Sequence, residues 1–170
     1  VIEVNNFDQA NDFYQWIYYN ASGDIVASSN TISPPSFEIE NEGDSIIVML
    51  VVSNEHGCEL DTSQIVFYNY IHPQVQFEVA DVCQGDASVF QNTSLQGDAP
   101  FLSYSWEIAN LGAGEFQNSS SDTSLTPSFL YTNCGTYTAS LTIIDQNNCQ
   151  NTFTFDSVNI FCNPSLEIIS

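Results

Sequence analysis

The chain contains no lysine and no arginine, whereas aspartate and glutamate number 21 among 170 residues and give a formal net charge of −21. Nucleic-acid binding needs basic side chains that neutralise phosphates, so this class of function is excluded. Polybasic contact with a membrane surface is excluded for the same reason. Without these cations the fold must depend on apolar packing, backbone hydrogen bonds and disulfides. Divalent cations, Ca²⁺ above all, are the natural counter-ions for such a chain.

Long apolar runs are also absent, since none approaches the ~20 residues of a membrane-spanning helix. We therefore expect no membrane insertion. Histidine is scarce, because His56 and His72 are the only two. A catalytic triad needs a histidine held by a carboxylate beside a nucleophile, and neither histidine recurs in the internal repeat described next. The sequence therefore predicts no catalytic site and no enzyme activity.

The sequence repeats itself with a period near 91 residues. Five landmarks recur in the same order, with small drifts in spacing of the kind that loop insertions cause. The matched pairs are Tyr14-Gln15-Trp16 with Tyr104-Ser105-Trp106, Pro35-Ser36-Phe37 with Pro127-Ser128-Phe129, Asn41-Glu42-Gly43 with Asn133-Cys134-Gly135, Cys58 with Cys149, and Pro73 with Pro164. A period of this length suits one small β-sandwich per repeat.

These matches divide the chain into three parts. Residues 1–72 are interpreted as a repeat that lacks its first strand, because residues 1–6 align roughly with residues 88–92. Residues 73–163 form a complete repeat, and residues 164–170 begin a third. We therefore expect the chain to be a window on a longer protein, in which neighbouring repeats are partners of one another.

The local pattern is β throughout. Residues 45–52 and 137–144 are rich in β-branched and aromatic side chains, which favour strands. Shorter predicted strands cover residues 74–79, 88–92, 102–108, 129–131 and 153–160. Polar clusters such as residues 117–126 separate them as loops. The pattern predicts an all-β fold of tandem immunoglobulin-like β-sandwiches.

Six segments of the second repeat form a recognisable set: Cys83-Gln84-Gly85, Val89-Phe90-Gln91-Asn92-Thr93-Ser94, Tyr104-Ser105-Trp106, Pro127-Ser128-Phe129, Gly135-Thr136-Tyr137-Thr138-Ala139-Ser140-Leu141-Thr142-Ile143-Ile144-Asp145 and Asn147-Asn148-Cys149. With these residues the repeat resembles the polycystic kidney disease (PKD) domain family, in the form found in large surface adhesins of gliding bacteria. The run from Gly135 to Asp145 is the most specific part. One departure is Glu107-Ile108-Ala109-Asn110, where the family usually has Phe-Gly-Asp-Gly.

The resemblance implies that Trp16 and Trp106 fill the cores of two sandwiches, with stacking on a surface sugar as the alternative. It implies that Pro73 and Pro164 lie in linkers, where a fixed φ stiffens the joint. It also implies export, an extracellular or cell-surface location, and a role in attachment or gliding.

Two disulfides are predicted. Cys134 precedes the penultimate strand and Cys162 ends the last one, so antiparallel pairing of these strands would bring the two cysteines together. Cys83 and Cys149 then pair by elimination, with free buried thiols as the alternative. The mate of Cys58 would lie just before Val1, so the odd cysteine count is interpreted as a truncation effect. Disulfides would indicate an oxidising compartment.

Five sites resemble glycosylation motifs. Asn20, Asn92 and Asn118 begin Asn-x-Ser sequons, and Ser45 and Ser157 lie in Asp-Ser-Ile and Asp-Ser-Val sequences similar to the O-glycosylation motif of gliding bacteria.

Four aspartates are candidate Ca²⁺ ligands: Asp8 and Asp12 near the chain start, and Asp81 and Asp86 near the second joint. No EF-hand spacing occurs, and solvated surface carboxylates are the alternative interpretation. No other cofactor is predicted.

The leading interpretation is a stalk or filament segment of a secreted adhesin, which spaces a binding region from the cell. A first alternative is an accessory module of a secreted polysaccharide or protein hydrolase that binds substrate. A second is a self-assembling surface fibre or layer. Surface glycan and further copies of the chain are candidate partners.

Overall fold

The computed structural model describes residues 12–56, 59–108 and 114–164, with the backbone alone described for residues 12 and 59–61. The chain divides into two compact units, Val1–Tyr70 and Ile71–Ser170. All regular structure in the described ranges is β-strand. The predicted all-β fold is therefore confirmed, while the repeat limits near residues 73 and 164 stay predictions.

The first unit contains one four-stranded antiparallel sheet in the order β2-β1-β3-β4. The strands are β1 (Asp12–Asn20), β2 (Ile25–Ser29), β3 (Ser45–Asn54) and β4 (Glu59–Tyr68). One face of β1 and β3 is buried, and alternate side chains of these strands point to it. Its core consists of Tyr14, Trp16, Tyr18, Ile46, Val48 and Leu50.

The segment between β2 and β3 lies against this buried face. The phenol ring of Tyr18 stacks on Phe37 with the ring centroids 5.6 Å apart, and its hydroxyl donates to the carbonyl oxygen of Pro35 at 2.9 Å. Asn69 donates from its side-chain amide to the carbonyl oxygen of Ile39 at 2.9 Å. This irregular segment therefore closes part of the core through side-chain contacts rather than through a strand ladder.

The second unit is a sandwich of two four-stranded sheets, ordered β5-β7-β10-β9 and β6-β12-β11-β8. The strands of the first sheet are β5 (Phe77–Val79), β7 (Ser88–Asn92), β9 (Gly114–Gln117) and β10 (Ser128–Tyr131). Those of the second are β6 (Val82–Cys83), β8 (Phe101–Ile108), β11 (Gly135–Asp145) and β12 (Gln150–Phe161). The order is that of a constant-type immunoglobulin sandwich, with β6 as an extra short strand parallel to β12.

The inner faces of the two sheets form one aromatic core. Phe77 of β5 makes edge-on contacts with Phe90 of β7 and Trp106 of β8, with ring centroids 5.9 and 5.0 Å apart. Leu141 and Ile143 of β11 are completely buried. The alternation of buried and exposed residues along β11 follows the apolar and hydroxyl pattern of its sequence, which is why this strand could be predicted.

Candidate functional surfaces

The two tryptophans lie in matching surroundings. Trp16 of β1 is 2% exposed and Trp106 of β8 is 4% exposed. The indole nitrogen of each donates to a loop carbonyl further along the chain, that of Thr31 at 3.0 Å and that of Ser124 at 2.8 Å. Both indoles occupy cores, so neither is available to stack on a surface sugar.

A disulfide joins Cys134 and Cys162, one of the two predicted pairs, with the Cα atoms 4.9 Å apart. Cys134 immediately precedes β11 and Cys162 immediately follows β12. These strands are antiparallel neighbours, and Gly135 pairs with Ile160 in their ladder. The bridge therefore fastens the open end of the β11–β12 hairpin, opposite its turn.

The predicted Cys83–Cys149 disulfide is wrong. Cys83 pairs with Phe161 at the end of β12, whereas Cys149 precedes Gln150 at its start. Twelve residues of strand separate these two positions by roughly 40 Å, and a disulfide needs Cα atoms less than about 7 Å apart. Elimination failed because the strand order places these two cysteines at opposite ends of the sandwich. Cys58 lies outside the described residues.

The β11–β12 turn is organised by Asp145, a residue that the sequence analysis did not select. Its side chain is completely buried, and Oδ1 accepts hydrogen bonds from the backbone N–H groups of Asn147 at 2.9 Å and Cys149 at 2.8 Å. Asn148 takes a φ of 63°, which asparagine tolerates better than most residues. The signal in the sequence was an aspartate placed directly before Asn147 and Asn148 at a strand end.

A tyrosine corner closes the opposite end of the same strand. The hydroxyl of Tyr137, at the start of β11, donates to the backbone carbonyl of Asn133 at 2.8 Å, as in many immunoglobulin-like sandwiches. Its ring stacks on that of Tyr131, which is 2% exposed. Burial raises the pKa of Tyr131 well above its ordinary value, and the charge of Tyr137 raises it further.

The candidate calcium ligands do not form a described site. Asp81 accepts hydrogen bonds from the backbone and side-chain amides of Asn159, at 3.2 Å each, and Asp86 follows Cys83 in a turn. Within the described ranges no group of three or more histidine, cysteine, aspartate or glutamate side chains could hold a metal ion. Asp8 and the side chain of Asp12 lie outside the described residues.

The glycosylation candidates differ in access. Ser157 and Asn118 are exposed, whereas Ser45 and Asn92 are half-buried. The Asn92 side-chain oxygen also accepts the N–H of Ser94 at 3.0 Å. Ser157 and Asn118 are therefore the positions at which a sugar meets the least obstruction.

A groove of about 380 Å³ in the first unit is lined by prolines, by aromatic and aliphatic side chains and by the amide of Asn69. His56 lies elsewhere, exposed, with Nε2 3.4 Å from a carboxylate oxygen of Glu55. In the part of the chain that the structure describes, no helix has the length and apolar character needed to cross a membrane.

Comparison with known proteins yields structural relatives alone, because no family model and no curated protein matches the chain. The PKD1 domain of Vibrio anguillarum Epp is 26% identical, with a TM-score of 0.43, and the match covers 55% of this chain and 99% of that domain. The PKD1 domain of the Vibrio cholerae metalloprotease PrtV is also 26% identical, with a TM-score of 0.42, and the match covers 54% of this chain and 99% of that domain. The fibronectin(III)-like modules of Clostridium thermocellum CbhA are 10% identical, with a TM-score of 0.40, and the match covers 92% of this chain and 83% of that one. Two of these structures are PKD domains, the family that the second repeat resembles in sequence.

Proposed function

We propose that this chain is a segment of a secreted bacterial stalk, made of tandem PKD-like repeats that space a binding region from the cell surface. In this role the chain performs no catalysis, its neighbouring repeats are its partners, and the stalk serves attachment or gliding. Repeats of about 91 residues, with limits near residues 73 and 164, are part of the proposal.

The observation that carries this proposal is the matching environment of the two tryptophans. Trp16 pairs with Leu50 across β1 and β3, and Trp106 pairs with Leu141 across β8 and β11. Each indole also donates to a carbonyl 15 or 18 residues further on. Two units with the same core register, 90 residues apart, are what duplication of a single module produces.

Two further observations support an exported structural role. The Cys134–Cys162 disulfide is typical of proteins that reside in oxidising compartments. A uniform negative charge repels neighbouring chains, and the absence of lysine and arginine removes every trypsin cleavage site. Both properties suit a filament exposed to proteases outside the cell.

Immunogold labelling of the source bacterium tests the location and the spacing role together. Antibodies raised against the folded chain should label intact cells, with gold particles at a distance from the outer surface. Permeabilised cells of the same culture serve as the control. Labelling that appears only after permeabilisation would refute the proposal, and gold lying flush with the envelope would favour the surface-layer alternative.

Digestion of the folded chain with a broad-specificity protease tests the proposed resistance, since trypsin has no site to cut. We expect slow loss of the intact mass under non-reducing conditions. Rapid digestion of the folded chain would contradict general protease resistance, although it would leave the location untouched.

A further inference from the structure

The outward face of the first unit's sheet is apolar. Its central strand presents Ile47, Met49 and Val51, which alternate with the buried Ile46, Val48 and Leu50. Ile17 and Tyr19 of β1 and Val66 of β4 lie beside them in the ladder. The sheet of the first unit is therefore apolar on both faces. These outward side chains of β1 and β3 are half-buried, and Val66 of β4 is exposed.

The matching face of the second unit is hydrophilic. Aligning the two sheets on the Trp16–Leu50 and Trp106–Leu141 pairs places Ile17, Met49 and Val51 opposite Glu107, Ser140 and Thr142 respectively. The hydroxyl of Thr142 is 2.8 Å from that of its neighbour Thr152, on the solvent side of the sheet. The fold therefore does not require an apolar outward face. The apolar side chains on the outward face of the first unit need an explanation other than folding.

The described side chains beside these apolar residues are uncharged. Gln15, Gln64, Thr62 and Ser28 flank them in the same rows of the ladder, and Glu59, whose side chain the structure does not describe, follows in the next row opposite Ser53. The chain as a whole carries a net charge of −21. A basic partner would find no carboxylate among the described side chains of these three rows, and a sugar would find fewer hydroxyls than the second unit offers.

We propose that this face, defined by Ile17, Tyr19, Ile47, Met49, Val51 and Val66, binds the same face of a second copy of this chain. Two identical apolar faces are complementary when they meet about a twofold axis, and every copy of the chain supplies one. Burial of apolar surface drives the association. The uncharged face lets two strongly acidic chains meet without placing like charges in contact.

The size of the face sets the strength of the association. Three strands about 4.8 Å apart and three rows of outward side chains cover roughly 300 Å² per copy. Two copies would bury roughly 600 Å², about half of what stable specific complexes bury. The dimer should therefore be weak and should form at high protein concentration. Because net charge opposes it, added salt should strengthen it.

Sedimentation equilibrium of the 170-residue chain over a wide concentration range, at low salt and at about 0.5 M NaCl, tests this inference. We expect a reversible dimer that is tighter at high salt. Ile17→Glu, which copies the residue at position 107, should abolish it, and Met49→Ser should weaken it about tenfold. The matched control is Glu107→Gln on the second unit, which should leave the dimer unchanged.

A monomer at every concentration and in both salts overturns the inference, as does a dimer that survives both substitutions in a chain with unchanged circular dichroism. A dimer lost in the Glu107→Gln control would place the interface on the second unit instead, and would equally overturn it. The inference does not depend on the stalk role, because surface labelling of cells and sedimentation of the isolated chain can fail separately.

Discussion

The rings of Tyr131 and Tyr137 stack with their centroids 4.3 Å apart, yet the two hydroxyls have opposite surroundings. That of Tyr137 donates to the carbonyl oxygen of Asn133 at 2.8 Å, whereas that of Tyr131 is buried without a hydrogen-bond partner. A buried polar group without a partner costs free energy, and a satisfied one contributes about 1 kcal/mol. Removal of the two oxygens should therefore have different effects on stability.

We expect Tyr137→Phe to lower the free energy of unfolding by about 1 kcal/mol, because it removes the tyrosine-corner hydrogen bond. Tyr131→Phe keeps the stacked ring and should leave stability unchanged or slightly increased. Urea denaturation of the two variants and the unsubstituted chain measures the difference. A larger loss for Tyr131→Phe than for Tyr137→Phe would contradict the assignment of the hydrogen bond.

Tyr131 should also make the second unit sensitive to alkali. Burial raises the pKa of Tyr131 in the folded state above its value in the unfolded chain, which is about 10. Its contribution to stability is therefore fully present below about pH 10 and is lost as the pH rises from there toward the folded-state pKa. The free energy of unfolding should fall less steeply above about pH 10 in Tyr131→Phe than in the unsubstituted chain. Equal slopes would show that Tyr131 is not responsible.

The sequence predicted the strands with clear alternation best. The predicted strand at residues 88–92 coincides with β7, and those at 102–108 and 137–144 differ from β8 and β11 by one to two residues at an end. These segments alternate apolar with small polar side chains, and one face of each packs in the core. Alternation of this kind is visible without knowledge of the partner strands.

Strands with mixed composition were not predicted. β4, from Glu59 to Tyr68, begins with polar residues and is exposed along its described side chains, so its pattern does not show a buried face. β2 and β9 are short, and tertiary pairing rather than local pattern determines them. The wrong prediction of a Cys83–Cys149 disulfide also arose because tertiary pairing is not visible in the local pattern. Whether two cysteines can pair depends on which end of the sandwich each one occupies. Cys83 and Cys149 could be placed only once the β6–β12 register was known.

The Cys134–Cys162 bridge should contribute strongly to the stability of the second unit. It closes a loop with a sequence separation of 28 residues, and the chain-entropy model assigns about 3.5 kcal/mol to a loop of that length. Replacement of both cysteines with alanine should lower the free energy of unfolding by about this amount. The control is Cys83→Ser, because Cys83 is exposed and outside this bridge. Equal stability of the double variant and the control would show that the bridge does not constrain the unfolded chain.

Asp145 should be the most sensitive aspartate among the described side chains. Asp145→Ala would leave the half-buried N–H groups of Asn147 and Cys149 without this acceptor. The expected loss is about 1–3 kcal/mol, because an orphaned group costs about 1–3 kcal/mol when it is buried, and removal of the buried, unpartnered Oδ2 offsets part of that cost. Asp156→Ala, on an exposed position of β12, should change stability by less than about 0.5 kcal/mol. Similar effects of the two substitutions in thermal denaturation would refute the role of Asp145 in the turn.

Salt should stabilise this chain. In most proteins added salt screens attractive ion pairs as well as repulsion, but here no lysine or arginine exists to form such pairs. Of the side chains, only the two histidines could pair with a carboxylate, and His56 lies 3.4 Å from Glu55 at an exposed position. Screening therefore acts almost entirely on repulsion among 21 carboxylates, which is stronger in the compact state than in the unfolded chain.

The denaturation midpoint should rise as NaCl increases to about 0.5 M, where the Debye length is about 4 Å. The same series at about pH 3, where ordinary carboxyl groups are mostly protonated, is the control and should show a much smaller rise. A midpoint that falls with salt at neutral pH would mean that attractive electrostatic interactions outweigh repulsion in the folded chain.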